Sequence, residues 1–382
     1  MRWTARIAPE LRALRFTILV YLATRALLLG VALVMGAVEH NSLASEVGRW
    51  DGTWYVQVAS SGYPRHISHY PTTLGFFPLY PLVIWLTVHA PGPPDSVVLA
   101  GMLISGAGGL VATVLVQRLA AVWWGAEGGR RAAVLFCLFP GSIVFSMVYA
   151  EGLLLPLAAG CLLALQRRRW LLAGVLAGFA TAVQPDAVAL IVVLAVCAVR
   201  ELRVRGWLDR DARRSVIALL LSGAGICAFA LFLWLRTGTP FATLEAQHYG
   251  WGEKVDPLAL VHQGHHLVSE LSHAHLQHLN LNLGPFAALI GAVVLAIGFT
   301  LLFKSPRTVS LEAMAWTLSV GLLAVVSENV APNPRILITA FPAVLVFAYY
   351  CRHKRYTWLL SATSLLLVLT SAVTYGGRSM TP

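Results

Sequence analysis

The chain is short of charge. Only 12% of its 382 residues are Asp, Glu, Lys or Arg, about half the roughly 25% that a soluble domain carries. That shortage excludes two or three water-soluble domains, which the length alone would allow. Lysine is rarest among the charges, 3 against 25 Arg, a bias that points to a GC-rich bacterial source. Cysteine is scarce too. Cys137, Cys161, Cys197, Cys227 and Cys351 lie within or beside apolar segments and form no CxxC pair. They read as small core residues, without a disulfide or metal role. A low-complexity tract, a repeat of fixed period and a soluble appendage are likewise missing from the sequence.

What the chain has is apolar length. Hydrophobic residues make up 58% of it and the mean hydropathy is +0.72. About 20 apolar residues carry a helix across the hydrocarbon core, and segments near that length recur to the end of the sequence. An all-α polytopic membrane protein is expected, one integral membrane domain over residues 1–382, with about eleven spans near 15–38, 97–122, 131–150, 152–166, 170–184, 186–200, 215–235, 285–303, 309–328, 335–350 and 356–376. The first, with an apolar stretch over 16–38 and Arg25 inside it, is too long for a signal-peptide core and reads as a retained span.

The net charge of +11 is a topology signal. With the N-terminus inside, 21 of the 28 basic residues fall in short cytoplasmic loops, among them Arg118, Arg130, Arg131, Arg167 to Arg169 and the run from Arg200 to Arg214. That is the positive-inside pattern, with attraction to anionic lipid added. It argues against a nucleic-acid partner. The stretch 76–90 carries Pro78 and Pro81 and would invert every later loop if it crossed, so it reads as an interfacial helix. Two large outer segments result, 39–96 and 237–284, and chemistry must use them and the outer helix ends.

The first of these segments holds Arg49-Trp50-Asp51, with Trp54 and Tyr55 close behind. An acid among aromatics at the bilayer surface suits transfer of a sugar. A base must take the proton of the attacking hydroxyl, and aromatic faces pack on sugar rings. A helix N-cap explains an acid before Gly-Thr-Trp-Tyr equally well. Arg25 in mid-span needs a polar partner or cavity, either a substrate phosphate or an ion pair such as one with Glu151. Tyr149 and Glu151 follow a helix interrupted by Pro140 and Gly141, at an outer end, and an acid between apolar runs is rarely idle. Asp186, after Gln184 and Pro185, brings a third acid to that side, or simply caps a turn. Arg335 stands at the mouth of the tenth span, suited to a lipid phosphate or to snorkelling toward headgroups. Seven of the twelve histidines lie between 248 and 278, including His262 and His266 at helical spacing. Clustered loop histidines are more often solvated than ligating, and they form no recognisable ligand set.

Taken in order, these strings resemble the PIG-V family of mannosyltransferases, which belong to the GT-C glycosyltransferases. The resemblance rests on Trp50-Asp51 with Val58-Ala59 and Gly62-Tyr63, then the string from Phe76 to Pro81. It continues with PGSIVFSMVYAE ending at Glu151, with Gly238-Thr239-Pro240-Phe241 through Gln247, and with Arg335 before Phe341-Pro342. Each is weak alone; the conserved order over about 25–342 makes the set specific. One departure stands out. Where relatives usually carry arginine followed by Asn or Thr and Gly, this chain has Gln184-Pro185-Asp186-Ala187, so a phosphate contact made by that arginine falls to Arg236 or Arg335, or is lost with activity.

The resemblance implies a GT-C-type bundle and an inverting transfer of a hexose, mannose first, from a polyprenyl-phosphate donor to a lipid or protein acceptor on the extracytoplasmic face. Asp51 would be the general base. Arg25, Trp50, Trp54, Tyr55, Tyr149, Glu151, Gln247 and Arg335 would bind substrate. No cofactor is required by the residues, and a divalent cation stays open. The location implied is the bacterial plasma membrane, or the endoplasmic reticulum for a eukaryotic chain. Two other readings compete: a transporter or flippase of a lipid-linked substrate, whose inverted repeats the sequence does not display, and a catalytically silent subunit, prompted by Gln184.

Overall fold

The computed structural model describes residues 2–90, 96–273, 284–305, 309–328 and 331–377. Within them the backbone is helical almost throughout, and one isolated bridge between Val255 and Ser327 is the extended pairing seen. A bilayer imposes this, because a helix satisfies its own backbone groups where water cannot. The helices run α1 (Arg2–Val38), α2 (Leu43–Val47), α3 (Asp51–Ser61), α4 (Leu79–Val88), α5 (Val97–Leu138), α6 (Glu151–Gln166), α7 (Trp170–Ala180), α8 (Val188–Arg205), α9 (Arg210–Ser222) and α10 (Ala224–Thr237). They continue as α11 (Ala242–Glu245), α12 (Ala259–His273), α13 (Gly284–Phe303), α14 (Leu311–Val326), α15 (Pro334–Thr339), α16 (Phe341–Tyr350) and α17 (Lys354–Tyr375).

Five stretches are long and apolar enough to cross alone: Leu14–Val38, Val97–Leu138, Arg210–Thr237, Gly284–Phe303 and Lys354–Tyr375. The bent pair of Pro140–Ser146 with α6 makes a sixth. Several of the eleven expected segments are shorter apolar helices, α7, α14 and α16 among them. The segment expected over 131–150 ends early, at Leu138. Phe139 precedes Pro140 and is extended (φ −68°, ψ 138°), as a residue before proline is driven to be. A 3₁₀ turn, Pro140–Ser146, follows. The segment expected over 335–350 likewise divides, into α15 and α16, at Ala340.

At about 1.5 Å per residue the 42 residues of α5 would measure about 63 Å, twice the hydrocarbon thickness. Gly125 resolves this. Its backbone (φ 76°, ψ 175°) leaves the helical region in a conformation that glycine tolerates best, and the chain turns back on itself. Gly129 then lies so close to the first leg that a Cβ there would come within 2.6 Å of the Gln117 carbonyl oxygen. The two legs correspond to the expected spans 97–122 and 131–150.

The bundle has two chemically distinct ends. One gathers the arginine-rich turns: the Tyr356 hydroxyl donates to the Arg131 carbonyl at 2.9 Å, Gln166 bonds Ser310 at 3.1 Å, and Arg200 pairs with Glu312 at 3.2 Å. The other gathers Asp51, Tyr149, Glu151, Gln184 and Arg335. Helix α6 joins the two, its 16 residues reaching about 24 Å. The outer segments are stitched together beside the second end. Thr243 donates to the Leu74 carbonyl at 2.9 Å, and Arg236 donates twice to the Tyr63 carbonyl, at 3.1 and 2.8 Å.

Candidate active site

Asp51 is the first residue of α3, and the N-cap position belongs to Trp50, which makes no side-chain cap. The N-cap reading of Asp51 is thereby corrected. Its carboxylate is free of capping duty and accepts from Arg335 Nη1 at 2.5 Å. The positive end of the α3 dipole favours a negative charge there. Trp50 itself is strained, with φ 58° and ψ −127°, a conformation uncommon in any residue but glycine and a mark of sites held in place by their surroundings. Its ring nitrogen donates to the Thr374 carbonyl at 3.2 Å, which ties the start of α3 to the last helix.

Arg335 is the hub. Its Nε bonds Glu151 Oε1 while Nη1 holds Asp51, and its guanidinium lies 5.1 Å from the centre of the Tyr149 ring. The local sequence explains the placement. Asn333 caps α15 by accepting from Ile336 N–H at 3.0 Å, Pro334 opens the helix, and Trp316 Nε1 donates to the Thr339 carbonyl at 2.9 Å. Gly141 allows the close approach: a Cβ there would lie 2.0 Å from the Pro334 carbonyl oxygen. Glu151 is fully buried at the first turn of α6. Gln184 Nε2 donates to the same Glu151 oxygen at 3.0 Å. Glu151 Oε2 and Gln184 Oε1 make no hydrogen bond to protein, so two buried acceptors face the cluster with capacity to spare.

The sequence did not signal all of this. Gln184, noted only as a departure, is a direct partner of Glu151. Nothing in the sequence singles out Ser105, or Tyr80 within the string from Phe76 to Pro81: Ser105 Oγ donates to the Tyr149 carbonyl at 2.8 Å and lies 2.7 Å from the Tyr80 hydroxyl, which fixes the turn that presents Tyr149. A serine inside a long apolar helix carries no distinguishing pattern. Asp186, half-buried in the turn before α8, stands close enough to Arg335 and Glu151 to feel both. Desolvation pushes its carboxyl up to about 6, with Arg335 opposing and Glu151 reinforcing. Tyr55 lies buried on α3, its hydroxyl held far above the usual phenolic range by burial and by the Asp51 and Glu151 charges, against the pull of Arg335 and a hydrogen bond with Gln184.

Arg25 lies elsewhere, and the ion pair with Glu151, one of the two readings open for it, does not form. Instead its guanidinium fills the break after α5. It donates to the Ser142 carbonyl, to Ser142 Oγ at 3.0 Å, to Ser146 Oγ at 3.1 Å and to the Cys137 carbonyl at 3.4 Å, flanked by the Tyr21 and Phe145 rings. The Cys137 carbonyl belongs to the last turn of α5, whose carbonyls have no amide partner within the helix, and the Ser142 carbonyl lies in the turn that follows. Gln247 is also committed, donating to the Gly75 carbonyl at 3.0 Å. Trp54 stacks on Phe76 and meets Trp251 edge-on at 5.0 Å, forming an aromatic wall one turn from Asp51. Arg236 is held by Tyr63, so of the two arginines named as substitutes, Arg335 is the one within the cluster.

His262 bonds Asp256 at 2.7 Å, and among the described residues no three His, Cys, Asp or Glu side chains are grouped to hold a metal ion. The side chains of His273, His275 and His278 lie outside the described residues. An apolar groove of about 810 Å³ lies beside the cluster, walled by Val58 and Ala59 two turns along α3, by Pro78 and Trp85, and by Phe179 and Phe232. Ala182, two residues before Gln184, is part of its lining.

The structure of ArnT from Cupriavidus metallidurans bound to undecaprenyl phosphate aligns with a TM-score of 0.52 at 15% identity, over 95% of this chain and 75% of that one. The apo oligosaccharyltransferase of Archaeoglobus fulgidus aligns with a TM-score of 0.48 at 14% identity, over 94% of this chain and 56% of that one, so this chain spans little more than half its length. The likeness to ArnT shows the fold, a GT-C-type helical bundle. Proteins of curated function give no sequence match. A family model, Mannosyltransferase (PIG-V), matches residues 22–237, a stretch that takes in Asp51, Tyr149, Glu151 and Gln184. The chain belongs to the PIG-V mannosyltransferase family.

Proposed function

We propose that the protein moves a mannosyl group from a polyprenyl phosphate to a hydroxyl of a lipid or protein acceptor, at the membrane face opposite the arginine-rich turns. The observation that carries this reading is the Asp51–Arg335–Glu151 bridge, a base and a phosphate-binding cation held in one contact at the bundle end. The acceptor oxygen attacks the anomeric carbon as its proton passes to Asp51, and the bond from that carbon to the phosphate oxygen breaks with inversion. The departing phosphate takes the electron pair, and Arg335 stabilises the charge that grows on it. Family membership supports mannose. Binding of undecaprenyl phosphate by ArnT supports a lipid carrier here, and the groove beside Ala182 is an apolar bed for its isoprenoid chain.

The ion pair also orders the events. While Arg335 holds Asp51, that carboxylate oxygen is occupied by the guanidinium. A donor phosphate competing for the same guanidinium releases it, so the base becomes active when the substrate is in place. Purified protein supplied with polyprenyl-phosphate mannose and candidate acceptors should form product, and Asp51→Asn should lower turnover by about 10²–10⁴-fold, the usual contribution of a positioned base. Unchanged turnover in that variant would remove Asp51 from the role. Translocation in sealed vesicles without any glycosylated product would favour a flippase instead.

A further inference from the structure

A second groove runs along α6 toward the other end of the bundle, and its chemistry differs. About 500 Å³ in volume, it runs between the first leg of α5, α6 and α7, lined by Leu115, Leu157 and Leu176 and by three guanidinium-bearing residues, Arg118, Arg167 and Arg169. The groove beside the candidate active site has no charged residue in its lining. From Leu153 to Arg167, the residue that caps α6, this second groove follows the helix for about 21 Å, enough to take a lipid chain through the roughly 15 Å of one leaflet.

The turn that ends α6 sorts its arginines. Arg168 adopts a positive φ of 53°, which points it away from its neighbours. It bonds Glu201, approaches Asp211 at 3.4 Å and lies 5.5 Å from the Trp170 ring centre. Arg167 and Arg169 line the groove with Arg118 from α5, and among the described residues none of the three pairs with a carboxylate. Exposed arginines elsewhere at this end, such as Arg203 and Arg213, also lack an acid among the described residues, but neither lines this groove.

We propose that this groove binds an anionic diacyl phospholipid of the leaflet opposite the candidate active site. The phosphate would sit among Arg118, Arg167 and Arg169, and an acyl chain along Leu115, Leu157 and Leu176. Three cations around one phosphate and an apolar trough leading from them fit a charged headgroup with a tail. Gly160 keeps the trough open, since a Cβ there would already come within 3.3 Å of Leu176. The occupant contacts α6, the helix whose other end presents Glu151.

Native mass spectrometry of the full chain in detergent, with phosphatidylglycerol or phosphatidylcholine added, tests the site. Three basic residues around an anionic headgroup make a preference for phosphatidylglycerol of at least about tenfold. The triple variant Arg118→Ala, Arg167→Ala, Arg169→Ala should lose that preference. Arg203→Ala, Arg210→Ala, Arg213→Ala removes the same charge from the same end and should keep it. Gly160→Phe, with every charge intact, should lower occupancy by both lipids. Equal retention of the two lipids by the unaltered chain overturns the proposal, as does equal loss in the two triple variants. Undiminished binding in Gly160→Phe overturns the groove as its location.

Discussion

At the scale of single residues, the site depends on which partner each charge finds. Glu151 is fully buried and is balanced by Arg335, while Asp51 shares that arginine from a more open position. Removing the arginine leaves a buried carboxylate uncompensated, at a cost of about 3–5 kcal/mol. Arg335→Ala is therefore expected to melt at a clearly lower temperature as well as to lose turnover. Arg335→Lys keeps one charge but cannot fork to two carboxylates; it should fold near normally and raise KM for the donor by about tenfold or more, measured with purified protein. Asp186 supplies a pH effect. Its folded-state pKa of about 6 lies above the ordinary aspartate value of 3.8, so the folded state binds the extra proton between these values. Its contribution to stability is present below about 3.8 and is lost as pH rises through about 6. Ionisation there adds a third negative charge near Arg335, so donor KM should climb above pH 6. Asp186→Asn should flatten that rise, and an unchanged profile would separate Asp186 from the donor site.

Elements decide how those residues meet. Helix α5 ends at Pro140, and the break that follows delivers Tyr149 and Glu151 to Asp51 while exposing the carbonyls of Cys137 and Ser142. Arg25 closes over these. Its replacement by Met should lower the melting temperature and leave donor KM unmoved. A raised KM with unchanged stability would instead mean that Arg25 contacts substrate. On the other side of the break, Gly141 seats the Pro334 carbonyl. Gly141→Ala must push α15 outward, since a Cβ 2.0 Å from an oxygen cannot be accommodated by side-chain movement. Arg335 moves with it, and misplacement of a positioning group by an ångström can cost about 10²-fold in rate. Circular dichroism of this variant should match the unaltered chain, while its turnover falls.

For the whole molecule, the candidate site and the arginine-rich turns occupy opposite ends of α6. Positive loops stay on the cytoplasmic side, so Asp51 is expected outside. In a background without the native cysteines, Ser45→Cys beside the site should react with an impermeant thiol reagent in intact cells, and Arg203→Cys should react only after permeabilisation. The reverse pattern would put the chemistry in the cytoplasm. The glycine contacts that bring helices together, such as Gly108 against the Gly152 carbonyl, serve this arrangement by letting α5 and α6 pack backbone to backbone.

The sequence by itself determined the all-helical class, the segregation of arginine to one set of loops and the motifs around Asp51, Glu151 and Arg335. Each is a local property: hydropathy requires only a count of neighbours, and a motif only its spacing. It did not determine that Asp51 opens α3 instead of capping it, that Arg25 serves broken-helix carbonyls, or that Gln184 bonds Glu151. Nor could it divide Arg167, Arg168 and Arg169 between a largely apolar groove and an acidic cluster. Those outcomes hang on contacts between residues as far apart as Asp51 and Arg335, where several partners of equal chemistry compete. Only packing, through the reversal at Gly125, the break at Pro140 and the seat at Gly141, decides which of them arrives within reach.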